Sequence, residues 1–134
     1  METDWTIPRN LHKGDHAEEQ RLRHMRNVMI KDQLQEGRTV QYRSSGNSLF
    51  PIVHSNDVCM YEPVLRPETI REGDIVFCEV QPGDRIYAHK VHRIYWDNFI
   101  RYFDIGNNHD PPPGINGWCQ DHHIYGRLIK VVRE

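Results

Sequence analysis

The sequence predicts a mainly β protein: an antiparallel, partly closed sheet preceded by one N-terminal α-helix. The first observation is compositional, since the 134 residues include 22 valines and isoleucines but only 8 alanines and leucines. β-Branched side chains suit strands, whereas alanine and leucine favour helices. The second is that short apolar segments alternate with turn residues along residues 39–132. A chain of this length most simply forms one compact body with a modest core.

One helix is predicted within a polar N-terminal arm that spans residues 1–38. Asp15 can cap a helix that begins at His16, and the helix should run to about Gln35 and stop at Gly37. Its apolar positions recur near helical spacing: Leu22, Met25, Met29 and Leu34. Because this apolar stripe is thin, we expect the helix to pack on the edge of the domain or on a partner.

Six strands are predicted in the β domain, residues 39–134. They are Thr39–Tyr42, Val58–Pro63, Asp74–Val80, Arg85–Tyr95, Ile100–Ile105 and Ile124–Val132. Gly-, Asn- and Asp-rich turns and a loop over Pro111–Gly117 separate them, and Pro111-Pro112-Pro113 is interpreted as a rigid part of that loop. Short strands with a turn every ten residues or so indicate an antiparallel, partly closed sheet.

Charge and hydropathy exclude several classes of partner. Seventeen basic against nineteen acidic residues leave a formal charge of −2, which gives no support to nucleic-acid or anionic-membrane binding. The longest apolar run, Ile75 to Cys78, is far shorter than the ~20 residues of a membrane helix. The N-terminus lacks the apolar region of a signal peptide, so a cytoplasmic location is expected.

Cysteine and histidine usage predicts neither disulfides nor a metal site. Cys59, Cys78 and Cys119 are odd in number and widely spaced, which is typical of reduced, buried thiols. One Cys/His cluster stands near the C-terminus: His109, Cys119, His122 and His123. It lacks a second pair at zinc-ligand spacing, so no metal and no cofactor are predicted.

A Gly-x-Ser turn at residues 44–51 carries the first candidate for chemistry. Gly46 lets the backbone turn sharply and present the Ser48 hydroxyl, while neighbouring peptide N–H groups stay free to bind an oxyanion. Such turns are common, so this signal is weak by itself.

Four further segments follow this turn in a specific order. They are Gly73-Asp74-Ile75-Val76-Phe77, the basic strand around His89 and Lys90, Gly106-Asn107-Asn108, and Ile124-Tyr125-Gly126-Arg127. Together with the Gly-x-Ser turn, this order resembles the superfamily of signal peptidase I and the self-cleaving, LexA-like SOS and phage repressors. The resemblance covers about residues 39–132. It is closest to small soluble phage and bacterial peptidase-like members that also carry an Asn-Gly-Trp segment, here Asn116-Gly117-Trp118.

The resemblance implies serine peptidase chemistry on a peptide or protein substrate, with a catalytic dyad. Ser48 falls on the nucleophile position. A lysine is the base in the bacterial enzymes and repressors, whereas a histidine is the base in the endoplasmic-reticulum type. His89 and Lys90 offer both residue types at adjacent positions, and backbone N–H groups near Ser48, aided by Ser45, would stabilise the oxyanion.

Strand geometry is the argument for choosing between the two bases. Successive side chains point to opposite faces, so His89 and Lys90 cannot both approach Ser48. The face of Tyr87, His89 and Val91 is bulky and less charged, so His89 is expected to point inward. A histidine also needs little pKa adjustment to act as a base at neutral pH. His89 is therefore the preferred base and Lys90 the alternative.

Several departures from the family pattern leave a second hypothesis open. The acid of the signal peptidase Gly-Asp-Asn segment is missing at Gly106-Asn107-Asn108, so Asp104 or Asp110 would have to orient His89. Leu49 stands where the family has methionine, and no Ala-Gly or Cys-Gly self-cleavage site is present. The alternative is a catalytically inactive peptidase-like module that binds an extended peptide or a partner protein by strand addition. The oligomeric state is not predicted.

Overall fold

The structure is a computed structural model that describes residues 3–4, 16–109 and 114–134. The single α-helix of the described residues is α1 (His16–Gln35). The strands are β1 (Thr3–Asp4), β2 (Val40–Arg43), β3 (Val58–Pro63), β4 (Ile75–Val80), β5 (Arg85–Asp97), β6 (Ile100–Gly106), β7 (Ile115–Gln120) and β8 (Ile124–Val132). The predicted cap Asp15, the candidate Asp110 and the prolines at 111–113 lie outside the described residues.

One curled, half-barrel sheet contains all of these strands, in the order β1-β2-β3-β8-β4-β5-β6-β7. The two-residue β1 pairs parallel with β2, and all other neighbours are antiparallel. The predicted mainly β, antiparallel architecture with one N-terminal helix is confirmed. β8 is the last strand in sequence, yet it lies in the middle of the sheet between β3 and β4.

The central strand β4 separates two apolar cores. Ile75 and Phe77 belong to the core beneath α1, whereas Val76 and Cys78 belong to the core on the other face. This division follows from the alternation of side chains along a strand. It also explains why β4 is apolar over most of its length, since both of its faces are buried. The three cysteines are free and buried, as predicted.

The helix has the predicted limits but buries a different face. Met25 and Met29 are 47% and 44% exposed, so the predicted apolar stripe is wrong at these positions. Leu34 is buried as predicted, and so is Ile30, which the predicted stripe did not include; both join the core beneath the helix. Asn27, about one helical turn before Ile30, is also on the inner face. The helix therefore packs on the sheet with only two large apolar anchors.

The interpretation of Pro111–Gly117 as a loop is wrong in its second half. Residues Ile115–Gln120 form β7, which pairs with β6 at the edge of the sheet. Gly117 lies within this strand at a close approach, where a Cβ would meet the Gln81 carbonyl oxygen at 2.1 Å. The Asn-Gly dipeptide that indicates a turn in the sequence is thus accommodated inside a strand by close backbone packing.

A mismatch in strand length creates an open edge next to the site described below. β5 has 13 residues and β6 has 7, and β6 pairs with β5 only from Lys90 onward. Residues Arg85–His89 pair with β4 on one side. Within the described residues, no strand pairs with them on the other side.

Candidate active site

Ser48 lies in the loop between β2 and β3, which is closed at its base by hydrogen bonds. The Ser44 N–H donates to the Asp57 carbonyl at 2.8 Å, and the Asn56 N–H donates to the Ser44 carbonyl at 2.9 Å. Gly46 has φ +80°, the left-handed conformation that suits the Gly-x-Ser pattern. Leu49 is buried in the core beneath α1, so the residue after Ser48 anchors the turn. An apolar side chain at position 49 suits this buried environment.

The buried carboxylate of Asp57 stabilises the same loop. It is only 2% exposed, accepts a hydrogen bond from the His54 N–H at 2.7 Å and pairs with the Arg133 guanidinium at 2.9 Å. The Arg133 hydrogen bonds hold the pKa of Asp57 below its usual value, and burial opposes them only in part. The serine loop is therefore tied to the segment that follows β8.

We expect acid to destabilise the protein through Asp57. Because the folded-state pKa of Asp57 is lowered, its ionised form stabilises the fold above the unfolded pKa of about 3.9, and this contribution is lost as pH falls through the folded value. Urea midpoints measured at pH 7 and at pH 3 should differ more for the wild type than for Asp57→Asn. The same pH dependence in both proteins would contradict this assignment. Glu36→Gln, at an exposed ion pair with Arg38, is the matched control.

Lys90 is connected to the serine turn through one residue, Asn108. The Lys90 Nζ donates to Asn108 Oδ1 at 2.8 Å, and the Asn108 backbone N–H donates to the Ser48 carbonyl at 2.6 Å. The Asn108 Nδ2 donates to the Phe50 carbonyl at 3.1 Å. Asn108 thus contacts the turn on both sides of Leu49 and holds the Lys90 Nζ beside it.

The segment Gly106-Asn107-Asn108 forms the turn expected of its asparagines. Asn107 Oδ1 accepts hydrogen bonds from the His109 N–H at 2.9 Å and the Gly114 N–H at 3.2 Å. The Asn107 N–H donates to the Gly114 carbonyl, and the His92 Nε2 donates to the Asn107 carbonyl. These contacts fix the position of Asn108 without an acidic side chain in the turn.

His89 occupies a different position from Lys90. Its ring stacks on the Tyr87 ring, with centroids 4.2 Å apart, and its Nδ1 lies against the Ala88 carbonyl. Burial lowers the pKa of His89, and the charges of Arg85 and His92 act in the same direction. Tyr87 packs with the core on the far side of the sheet, whereas Ala88 packs with the core beneath α1, where Leu49 lies. Both faces of β5 are therefore covered, and His89 reaches Ser48 only as a fellow lining residue of the cavity described next.

A cavity of about 630 Å³ opens beside Ser48. The serine turn forms one wall, the first half of β5 forms another, and α1 contributes the side chains of a third. Its lining includes Ser44, Ser45, Gly46, Ser48, Leu49, Tyr42, Tyr61 and the β5 residues Arg85 to His89. Ser45 is exposed and lines this cavity together with Ser48. The cavity and the open edge of β5 therefore lie together.

Other candidate residues have different partners. Asp104, expected to orient His89, pairs with the Arg93 guanidinium at 3.1 Å. His123 Nδ1 accepts a hydrogen bond from the Gln120 N–H at 3.0 Å. Among the described residues, no three His, Cys, Asp or Glu side chains are close enough to hold a metal ion.

Sequence reasoning missed Asn27 as a residue of the site. Its side chain is 8% exposed, and its Nδ2 donates to the Ile86 carbonyl at 2.7 Å, on β5. The sequence offered one signal: Asn27 stands three positions before the apolar Ile30, in a helix that has few apolar residues. Sequence alone places Asn27 in the helix without showing which face is buried.

Comparison with known proteins adds no family to these observations. No protein-family model matches the chain, and no curated protein is significantly similar to it in sequence. No helix in the described ranges is long and apolar enough to cross a membrane.

Proposed function

We propose that this protein is a serine peptidase of the signal peptidase/LexA-like type, in which Ser48 attacks a peptide carbonyl and Lys90 accepts its proton. The observation that carries the proposal is the pair of hydrogen bonds that joins the Lys90 Nζ to Asn108 and the Asn108 N–H to the Ser48 carbonyl, in a turn whose Ser48 lines a cavity of about 630 Å³. His89 remains the competing base, but its ring contacts Tyr87 and its own strand.

The proposed reaction uses the dyad twice. The Ser48 Oγ forms a bond to the carbonyl carbon as its proton passes to the neutral amine of Lys90. Backbone N–H groups of the turn and the Ser45 hydroxyl stabilise the oxyanion. As the C–N bond breaks, Lys90 returns the proton to the leaving amine. Water then hydrolyses the acyl-enzyme, with Lys90 again taking and returning a proton.

The open edge of β5 supports binding of the substrate as an added strand. Tyr87 and His89 pair with β4 residues, and the Ile86 carbonyl is reached from α1 by the Asn27 side chain. An extended peptide can form main-chain hydrogen bonds along such an edge. A peptide bound in this way would run through the cavity that Ser48 lines. The same edge supports the alternative, a module that binds peptides without cleaving them.

The proposal predicts covalent labelling at Ser48. A fluorophosphonate reagent should add a single adduct to the wild-type protein, located at Ser48 by peptide mass spectrometry, because only an activated serine reacts rapidly. Ser48→Ala should lose the adduct, and Ser55→Ala, an exposed serine of the same loop, should retain it. Equal labelling of wild type and Ser48→Ala, or no labelling of either, would contradict a catalytic Ser48.

A further inference from the structure

The inner face of α1 presents basic residues to the cavity. The helix side chains in its lining are Gln20, Arg23, His24, Arg26 and Asn27. Arg85 from β5 adds a further positive charge. None of the lining residues is an aspartate or glutamate, although the whole chain has more acidic than basic residues. The cavity is therefore a local concentration of positive charge.

Arg26 is the central cation of this group. Its Nε donates to Asn27 Oδ1 at 3.0 Å, and its guanidinium lies 4.6 Å from the centre of the Tyr42 ring. Among the ion pairs of the described residues, none involves Arg26. Burial lowers its pKa, and the nearby Arg23 acts in the same direction. A largely buried cation without a carboxylate is costly, and an anionic ligand would remove that cost.

Arg23 provides an independent observation. Its Nε is buried and has no hydrogen-bond partner within the described structure. Its Nη2 binds Glu19 Oε1 at 2.6 Å, so on this edge of the guanidinium only the Nε–H has no acceptor. An arginine can bind a carboxylate through two parallel N–H groups. The unsatisfied donor therefore points to an acceptor that is absent from the described residues.

Asn27 fixes this cationic group relative to the strand edge. Its Oδ1 accepts from Arg26, while its Nδ2 donates to the Ile86 carbonyl. A peptide strand bound along β5 would thus pass directly beside the Arg26 guanidinium. The acceptor would come from a side chain of that peptide.

We propose that the cavity selects acidic peptides, with Arg26 and Arg23 binding an aspartate or glutamate side chain of a segment paired with β5. The inference rests on the proposed peptide-binding function and names its substrate class. It does not require that the bound peptide be cleaved. Arg26 and Arg23 are specificity-determining residues, since neither belongs to the proposed dyad.

The test uses the full chain carrying Ser48→Ala and two fluorescein-labelled octapeptides, alternating Glu-Ala and alternating Gln-Ala. In an extended peptide the alternation places all glutamates on one face. Shifting the bound peptide by one residue along β5 turns the other face toward the cavity, so the glutamates can face the cavity in one of the two registers. Anisotropy should show that the Glu-Ala peptide binds about tenfold more tightly at low salt, as expected for one charge-assisted carboxylate contact. The preference should decrease with added salt.

The variants then locate the preference. Arg26→Gln should reduce it to within about twofold, since one charge-assisted contact is lost, whereas Arg66→Gln, an exposed arginine paired with Glu68, should leave it unchanged. Circular dichroism reports whether Arg26→Gln folds, and the salt series on the parent protein gives a result without any variant. Equal affinity for the two peptides, or a preference that persists in folded Arg26→Gln, overturns the inference.

The two proposals fail in different ways. Labelling at Ser48 without a preference for glutamate sustains the peptidase and overturns acidic selectivity. A preference for glutamate without labelling overturns the peptidase and leaves an acidic-peptide-binding module.

Discussion

Lys90→Met is expected to lower the rate of fluorophosphonate labelling at Ser48 by about 10²–10⁴-fold, the usual contribution of a general base. The Lys90 Nζ connects to the serine turn through Asn108 Oδ1, which it contacts at 2.8 Å. Methionine keeps most of the length and the apolar stem of lysine while it removes the proton acceptor. The measurement is the second-order labelling rate, followed by intact-protein mass spectrometry.

His89→Gln is the matched control at the adjacent position. Because the His89 ring stacks on Tyr87, its removal should change the labelling rate by only a few fold. A loss of labelling in His89→Gln with retention in Lys90→Met would reverse the assignment. The pH profile gives a second criterion. Burial lowers the pKa of His89, so a histidine base would already be neutral at pH 7. The labelling rate at Ser48 would then not change as the pH is raised above 7.

Gly106→Ala is expected to destabilise the fold by at least about 3 kcal/mol, at the upper end of the usual cost of overpacking. A Cβ at Gly106 would lie 1.9 Å from the Gly114 carbonyl oxygen and 2.9 Å from the Ile115 Cα. These are backbone atoms, so relief requires β7 to move away from β6. Because Asn107 and Asn108 follow directly, labelling at Ser48 should fall as well. Urea denaturation measures the change in the free energy of unfolding.

Gly37→Ala is the control for this prediction. Gly37 has φ +87°, and a Cβ added there would have nothing within 4 Å, so its substitution carries only a backbone cost of about 1–2 kcal/mol. A Gly106→Ala protein as stable as Gly37→Ala would show that β6 and β7 separate easily. It would also weaken the view that this turn holds Asn108 rigidly.

The elements were predictable wherever local pattern decides structure. β3 and β8 have the predicted limits, as does α1, because turn residues and glycines mark their ends. β7 was missed because its start is surrounded by turn signals. The prolines precede the strand, and the Asn-Gly dipeptide lies within it. Its pairing with β6 depends on backbone approach at Gly106, and its approach to Gln81 depends on Gly117; no local pattern records either contact.

The candidate site could also be predicted only in part, but the reason is not a misleading turn signal. The Gly-x-Ser pattern locates Ser48 on a turn, but alternation along β5 cannot choose between His89 and Lys90. That choice requires one face to be buried, and β5 has covered residues on both. The helix face shows the same limit, because Asn27 is buried and the two methionines are exposed. In each case tertiary packing overrides a local hydrophobic pattern.

The central position of β8 has a consequence for the order of assembly during synthesis. β3 and β4 are adjacent in the chain, but in the sheet each pairs with β8, and the register joins Val58 to Val132. Such distant pairings form late, since a long loop must close first. Asp57, which fixes the serine loop, binds Arg133 just beyond β8. We therefore expect a nascent chain to order the loop of its proposed nucleophile only after β8 has left the ribosome, which would keep newly made protein from reacting until it is folded.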